Sequence, residues 1–228
     1  MLSRLWRIVA TGLGFVVFAI GAFALGAALL LLLPLPFGPL RKRRSARAAI
    51  RAAAWLYLQL LCALGLLRIH IRNREGLRCQ GELVVANHPS LLDAVLLLSL
   101  MPGPCFLVKA PLLRNPFTAA VVRLAGYIPN SGEGKALVLE AAKVIARGES
   151  LVIFPEGTRT EDPSRLQLRR GAANIALTAR CPIRPVRIRV VPMTLRKHEP
   201  WYAVPDSQPR FSLEVLDPIN PAELVDAQ

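Results

Sequence analysis

Residues 83–93 read Leu83-Val84-Val85-Ala86-Asn87-His88-Pro89-Ser90-Leu91-Leu92-Asp93. The aliphatic residues that open this stretch predict a buried strand, and the apolar residues 94–100 that follow it predict a helix. The polar residues therefore lie where a strand ends and a helix begins. A strand followed by a helix in this way is typical of an α/β fold, and residues at such a junction often carry function.

His88 and Asp93 are the candidate catalytic pair of this junction. If the helix starts at Pro89 or Ser90, Asp93 lies in its first turn, where the helix dipole favours a carboxylate. From there Asp93 can reach back to His88, fix its tautomer and leave the other ring nitrogen to accept a proton as a general base. The alternative is that Asn87 and Ser90 cap the helix and that His88 is an ordinary loop residue.

A second polar stretch follows another short apolar run, in residues 151–160, which read LVIFPEGTRT. Gly157 permits close approach of the backbone, and the Thr158 hydroxyl, nearby N–H groups and the Arg159 guanidinium together suit a phosphate. Taken alone, the stretch is also compatible with a turn that carries an exposed arginine. Its occurrence beside the first motif favours a functional pair.

The N-terminal region predicts a membrane anchor. Residues 8–33 contain one polar side chain, Thr11, and no charge. As a helix this run would extend about 39 Å, enough to cross a hydrocarbon core of about 30 Å. The run is too long for a signal peptide, whose apolar core is usually about 7–15 residues.

Six Lys and Arg residues lie between positions 41 and 51, whereas only Arg4 and Arg7 precede the anchor. This excess of positive charge predicts that the downstream region is cytoplasmic.

A second apolar helix is predicted at about residues 45–67. Its apolar part, residues 52–67, is interrupted by Gln59 and would span only about 24 Å as a helix, which is short for a crossing. Two topologies remain open: one span followed by an interfacial helix with Trp55 and Tyr57 at headgroup depth, or a helical hairpin held in one leaflet. We therefore assign residues 1–67 to a membrane anchor and residues 68–228 to a single α/β domain.

The region from residue 68 onward alternates short apolar runs with amphipathic stretches, which is typical of an α/β domain. The patterns predict strands at 69–72, 83–86, 105–108, 126–129, 151–154, 185–190 and 211–215, and helices at 92–100, 116–124, 134–146 and 171–178.

The composition narrows the classes of partner. The chain has 29 Lys+Arg and 15 Asp+Glu, a net charge of +14, and 53% hydrophobic residues. This charge favours nucleic acid, anionic lipid headgroups or a phosphorylated substrate. Because only 6% of residues are aromatic and none interleave with basic residues, we expect no nucleic-acid partner. The four cysteines are widely separated and lack metal-ligand spacing, so we expect free thiols and no metal.

Residues 87–93 and 154–159 resemble the two signature blocks of the glycerolipid acyltransferase family, best known from the lysophosphatidate acyltransferases. The similarity runs from about residue 65 to about residue 195, and includes Lys109 after its strand and residues 169–172 and 182–186 further on. The resemblance implies an α/β fold: N-terminal membrane helices followed by a single α/β acyltransferase domain with a twisted mixed sheet flanked by helices.

The resemblance also implies transfer of a fatty acyl group to a lysophospholipid hydroxyl at the membrane. Acyl-CoA or acyl carrier protein would be the co-substrate, without a further cofactor or metal, and an anionic membrane surface would be a further partner. His88 would be the general base and Asp93 would orient it. The implied substrate-binding residues are Asn87, Lys109, Glu156, Gly157, Thr158 and Arg159.

One departure from the family pattern concerns the acceptor. The family has an arginine after a Gly-x-Ile stretch, where this chain reads Gly126-Tyr127-Ile128-Pro129-Asn130-Ser131. A non-glycerophosphate acceptor, such as an amino-acid lipid or a polyene-type lipid, therefore stays open, as does a non-catalytic, membrane-anchored binder of anionic ligands. The residues that could replace the missing cation are Arg123, Lys135, Arg169 and Arg170.

Overall fold

The computed structural model describes residues 4–31, 34, 36, 38–130, 134–160 and 168–221, without the side chains of residues 116 and 117. Its helices are α1 (Arg4–Leu30), α2 (Pro39–Ala63), α3 (Asp93–Leu100), α4 (Pro116–Ala125), α5 (Gly134–Ala146) and α6 (Gly171–Ala179). Its strands are β1 (Arg68–Arg72), β2 (Leu83–Ala86), β3 (Cys105–Lys109), β4 (Ile128–Asn130), β5 (Leu151–Ile153), β6 (Ile183–Val191) and β7 (Arg210–Val215). Short 3₁₀ helices cover Arg74–Arg78 and Ala110–Leu113.

The described strands form one sheet in the order β1-β7-β6-β2-β5-β3-β4. Strands β6, β2, β5, β3 and β4 run parallel to one another, whereas β7 is antiparallel to β6 and parallel to β1. The predicted α/β fold with a mixed sheet flanked by helices is confirmed. The parallel strands place their carboxyl ends at one edge of the sheet, and β7 and β1 begin at that same edge.

The central strands are apolar on both faces because helices cover both. Leu83 and Val84 of β2 and all of β5 are buried, as expected for parallel strands between two helical layers. In contrast, β6 and β7 alternate between buried and more exposed residues. These two strands therefore have one face in the core and one face toward solvent.

Helices α1 to α4 form one layer and α5 and α6 form the other. Helix α2 contacts α3 and α4, and α1 contacts α2 and α4, while α5 and α6 contact each other and the central strands. Helix α1 is long and apolar enough to cross a membrane by length and composition.

Helix α2 differs from the predicted bounds of about 45–67. It begins at Pro39, because proline is well accommodated in the first turn of a helix, and includes the basic residues that follow. It ends at Ala63, shortly before Gly65, which has φ +73° and cannot continue an α-helix. Its buried stripe, which includes Ile50 and Leu58, packs onto the α/β domain.

Candidate active site

The two polar stretches meet at the carboxyl edge of the sheet. Strands β2 and β5 are adjacent and parallel, with Leu83 opposite Leu151 and Val85 opposite Ile153. The residues that leave β2 and β5 therefore emerge side by side. In an open parallel sheet this edge is where ligands usually bind.

His88 is held by Asp93 through its Nδ1 atom. The Nδ1 atom lies 2.9 Å from Asp93 Oδ2, and the same oxygen accepts a 2.6 Å hydrogen bond from the Ser90 N–H. The His88 side chain is 18% exposed, so its ring is reachable from outside. Among the described residues its Nε2 atom has no hydrogen-bond partner and is left to accept a proton.

The contact between His88 and Asp93 arises from a helix start later than the one predicted. Helix α3 begins at Asp93 itself, and no side chain caps it. The predicted capping role of Ser90 is therefore wrong: its backbone N–H bonds to Asp93, and its Oγ atom has no hydrogen-bond partner among the described residues. The tight turn from His88 to Asp93 folds the carboxylate back onto the imidazole.

Asp93 is completely buried, and this burial raises the pKa of its carboxyl above the ordinary value of 3.8. The hydrogen bonds from His88 and Ser90 act in the opposite direction, and the nearby Glu156 carboxylate adds to the rise. An ionised Asp93 is thus poorly solvated except on the side of the histidine. Protonation of His88 would place a positive charge beside it and relieve this cost.

Glu156 and Phe154 join the second polar stretch to the first. A carboxylate oxygen of Glu156, Oε1, accepts a 2.9 Å hydrogen bond from the His88 N–H, and the Thr160 N–H donates to the His88 carbonyl at 2.7 Å. The Phe154 ring stacks on the His88 ring with centroids 4.2 Å apart. Together these contacts fix the His88 backbone at its N–H and at its carbonyl, and they cover one face of the His88 ring.

Asn87 and Arg159 bond to the protein backbone. The Asn87 amide donates to the Ile188 carbonyl at 2.8 Å and accepts from the Ile188 N–H at 2.6 Å, which joins β2 to β6. The Arg159 Nη1 atom donates to the carbonyls of Leu195 and Arg196, at 2.9 and 3.0 Å. Arg159 therefore fastens the segment after β6 to the edge of the sheet.

Arg169 lies over Gly157, so a cation stands beside the second motif. The Arg169 N–H donates to the Pro155 carbonyl at 2.9 Å. Gly157 has φ +69°, and a Cβ atom there would come within 3.1 Å of Arg169 Nε. Glycine at this position thus permits both the turn and the close approach of the guanidinium.

Lys109 and Asn130 end the two strands at the far side of the sheet. Lys109 is exposed at the end of β3 and pairs in register with Asn130 of β4. Both strands point to the same edge as β2 and β5, but no hydrogen bond or ion pair joins Lys109 to His88 or to residues 156–159. Ser131 lies outside the described residues.

An apolar cavity opens on the helical side of the first motif. Its volume is about 250 Å³, and it is lined by Leu91, Leu92 and Val95 together with residues of α1, α2, β7 and the segment after β6. Phe15 and Phe18 of α1 are among them. Because Leu91 and Leu92 lie between His88 and Asp93 in the chain, the cavity adjoins the candidate base.

The family model described as Acyltransferase matches residues 68–189, which include both polar stretches. The chain belongs to the acyltransferase family. Among the residues described here, no group of three or more His, Cys, Asp or Glu side chains could hold a metal ion.

Two relatives of this chain within the acyltransferase family are both named 1-acyl-sn-glycerol-3-phosphate acyltransferases. It is 28% identical over 176 residues to 1-acyl-sn-glycerol-3-phosphate acyltransferase alpha of Ovis aries, covering 68% of this chain and 59% of that protein. It is 28% identical over 203 residues to 1-acyl-sn-glycerol-3-phosphate acyltransferase of Limnanthes alba, covering 80% and 69%. The chain thus matches about three fifths of the length of the sheep relative.

The fold is shared with a solved member of the family. The crystal structure of the 1-acyl-sn-glycerophosphate acyltransferase PlsC from Thermotoga maritima matches with a TM-score of 0.76 at 20% identity, covering 97% of this chain and 89% of that chain.

Two features of the site lay outside the sequence prediction. The hydrogen bond from the His88 N–H to the Glu156 carboxylate connects residues 68 positions apart, so no local sequence pattern indicates it. The stacking of Phe154 on His88 had a weak signal in the sequence, since Phe154 is the first residue of the second signature block. Arg169 was one of four candidate cations, and only the structure distinguishes it through Gly157.

Proposed function

We propose that this protein transfers a fatty acyl group from a thioester, acyl-CoA or acyl carrier protein, to the hydroxyl of a lysophosphatidate-like lysophospholipid at the membrane, with His88 as general base. The observation that carries the proposal is the 2.9 Å contact between His88 Nδ1 and the buried Asp93 carboxylate. The names of the relatives supply the acyl transfer and the acceptor class.

The reaction needs one proton acceptor and one orienting carboxylate. His88 Nε2 would take the hydroxyl proton while the acceptor oxygen forms a bond to the thioester carbonyl carbon. Asp93 would stabilise the resulting imidazolium. Collapse of the tetrahedral intermediate breaks the carbon–sulfur bond, and the proton on His88 passes to the leaving thiolate. The cycle requires no acyl-enzyme.

The acceptor phosphate would lie over the turn of the second motif. Gly157 leaves the backbone open, Thr158 supplies a hydroxyl, and Arg169 supplies the cation that the position of Asn130 lacks. Arg159 adds a positive charge whose position is fixed by the Leu195 and Arg196 carbonyls. This assignment keeps lysophosphatidate as acceptor despite the departure in sequence.

Three further residues complete the proposed site. Glu156 and Asn87 would act through the backbone positions of His88 and β6, because their side chains bond there. Lys109, exposed at the same edge of the sheet, would bind an anionic part of the donor or acceptor.

The apolar cavity would receive an acyl chain. Its walls are mostly Leu, Phe and Val side chains, with Thr11, Tyr57 and Thr194, and they lie beside the candidate base, so a chain lying there would place its carbonyl end near His88. Part of the wall is α1, which would let the chain enter from the membrane.

The membrane would contact α1 and α2. Contacts of α1 with the rest of the protein run from Trp6, which donates to the Leu64 carbonyl at 3.1 Å, to Leu29, which is 2% exposed. Leu13, Val16 and Ile20 are exposed on its outer side. Contacts that bury residues near both ends of α1 favour the arrangement in which α1 and α2 are held in one leaflet, with the domain on the cytoplasmic face.

The basic part of α2 would meet anionic headgroups. Arg44 and Arg51 are exposed and line an open cavity beside Trp55, whereas Arg43 and Arg47, which line it too, pair with Glu149. Trp55 is 49% exposed, and an exposed tryptophan next to arginines suits the headgroup region.

A second class of acceptor, a lipid without a glycerophosphate group, is favoured by Asn130, which stands where the family carries arginine.

The test is a transfer assay with purified protein in detergent, using labelled acyl donors and a panel of lysophosphatidate, lyso-amino-acid lipid and polyene-type alcohol. We expect transfer to lysophosphatidate. Transfer to another acceptor alone would replace the substrate assignment, and binding of anionic lipid without transfer to any acceptor would contradict the enzymatic proposal.

A further inference from the structure

We propose that the exposed face of strands β1, β7 and β6 is the docking surface for an acidic acyl carrier protein that delivers the acyl thioester to His88. The inference rests on the proposed acyl transfer and selects one of its two donors. We refer to this surface as the arginine face.

Five arginines share the arginine face with one glutamate among the described residues. They are Arg68 and Arg72 of β1, Arg187 and Arg189 of β6, and Arg210 of β7, with Glu214 of β7. Glu214 pairs with Arg187. The cross-strand register sets Arg210 beside Arg68. Because residues of one strand alternate between faces, this arrangement gives the face a strong positive charge.

The arginine face lies on the side of the sheet away from α1. Phe211 lines the apolar cavity together with Phe15 and Phe18 of α1, so it points to the membrane-associated layer. Its neighbour Arg210 in the strand must point to the other side. A lipid surface that contacts α1 and α2 is therefore separated from these arginines by the sheet itself, whereas a soluble partner can reach them.

The arginine face is continuous with the active site. It borders an open cavity of about 1030 Å³ whose wall includes Asn87 and Pro155, the neighbours of His88 and Glu156. Arg189 directly follows Ile188, the residue bonded to the Asn87 amide. Strand β1 is three strands from β2, about 14 Å. A thioester arm from a carrier seated here would cross the sheet edge at Asn87 and reach His88.

The distribution of charge favours an acidic protein over a nucleotide. The arginines are spread over three strands about 4.8 Å apart, so their guanidinium groups match carboxylates dispersed along an acidic helix. The nucleotide of CoA concentrates its phosphates at one end and presents a base that proteins commonly stack on rings. Among the described residues that line this cavity there is no Phe, Tyr or Trp side chain, and the one ring besides proline is the imidazole of His70.

The test compares two donors, an acyl carrier protein and CoA loaded with the same acyl chain, at several salt concentrations. The variant is Arg189→Glu/Arg210→Glu. The matched control is Arg78→Glu/Lys143→Glu, which reverses two exposed cations outside the arginine face. Binding of unacylated carrier protein to the His88→Ala variant is measured in parallel, so that docking is read without catalysis.

We expect the double variant to raise KM for the carrier-bound donor about tenfold or more, with a smaller effect of salt than in the parent protein. Its KM with acyl-CoA and its thermal unfolding temperature should match those of the control. Equal KM increases with both donors would overturn the proposal in favour of the CoA phosphates, and an unchanged KM for the carrier would also overturn it. If no donor supports transfer while salt-dependent carrier binding persists, the proposed function fails and the docking surface stands.

Discussion

Asp93 accepts hydrogen bonds from both His88 and the Ser90 N–H through one oxygen, inside a completely buried position. Its other oxygen, Oδ1, has no hydrogen-bond partner among the described residues. A buried carboxylate with so few partners costs folding free energy. In the proposed mechanism this carboxylate stabilises the protonated histidine.

Asp93→Asn should separate activity from stability. Asparagine keeps the shape but cannot stabilise the imidazolium, so we expect kcat to fall about a thousandfold. Because burial raises the folded-state pKa of Asp93 above 3.8, the ionised form is destabilising at neutral pH, and this cost is relieved only as the pH falls through the raised pKa toward 3.8. The unfolding temperature of the variant at pH 7 should therefore be unchanged or higher. A loss of activity smaller than about tenfold would contradict the assigned role.

Arg169→Ala tests the acceptor assignment. A charged hydrogen bond to phosphate is worth about 1.5–3 kcal/mol, so KM for lysophosphatidate should rise roughly 10- to 100-fold. Arg170→Ala, at the neighbouring exposed arginine, is the matched control, and Arg169→Lys should restore part of the affinity. Equal KM values for Arg169→Ala and the parent protein would remove Arg169 from the phosphate site.

For single residues, the sequence predicts contacts between side chains that are close together along the chain. The spacing of His88 and Asp93 predicted their contact, which the structure contains. The cap at Ser90 was predicted wrongly because the turn is stabilised by Asp93 instead. Arg169 could not be selected, because its approach to Gly157 depends on how the chain returns after residues 161–167, which lie outside the described residues.

Helix α2 is attached to the α/β domain by ion pairs at Glu149. This carboxylate lies 3.1 Å from Arg43, 2.7 Å from Arg47 and 3.0 Å from Arg147. Burial opposes its ionisation, but Arg47 first and then Arg147 and Arg43 hold its pKa below the ordinary value of 4.5. The basic start of α2 thus has a structural partner in the segment before β5.

Glu149→Gln should destabilise the protein by about 1–3 kcal/mol at pH 7, because it leaves Arg47 mostly buried with a weaker partner. Since the folded-state pKa is lowered, this contribution is fully present above pH 4.5 and is lost as the pH falls through the lowered pKa. Thermal unfolding of parent and variant at several pH values measures it. Glu140→Gln, at an exposed position of α5, is the control. A difference that does not shrink below pH 4.5 would contradict the ion-pair account.

The elements themselves were predicted well, because local apolar patterns determine them. Strand β2 and helix α5 have the predicted bounds, and β6 extends the predicted strand by two residues at its start and one at its end. The order of strands in the sheet could not be predicted, because it depends on contacts between distant segments. The arginine face follows from that order, since it needs β1 and β7 beside β6.

The whole molecule separates an apolar side from a basic side across one sheet. Helices α1 and α2 and the apolar cavity lie on one side, and the arginine face lies on the other. The candidate base stands at the edge between them. In the proposed mechanism, lipid substrates would approach from the membrane and the carrier-bound donor would approach from the opposite side.

The proposed one-leaflet arrangement can be tested by labelling. In a variant without the native cysteines, single cysteines at Arg4 and Gly38 flank α1. Because contacts hold α1 against the domain near both of its ends, we expect both positions to react with a membrane-impermeant reagent from the cytoplasmic side only. Labelling of the two positions from opposite sides would show that α1 crosses the membrane, as its length alone predicts.

The central claim is that His88 is the general base of acyl transfer. The most direct measurement is the rate of acyl transfer to lysophosphatidate by purified His88→Ala protein beside its parent, at equal unfolding temperature and equal membrane association. Our account predicts a fall of about 10²- to 10⁴-fold, because proton removal from the hydroxyl is lost. Transfer at the rate of the parent protein would contradict it.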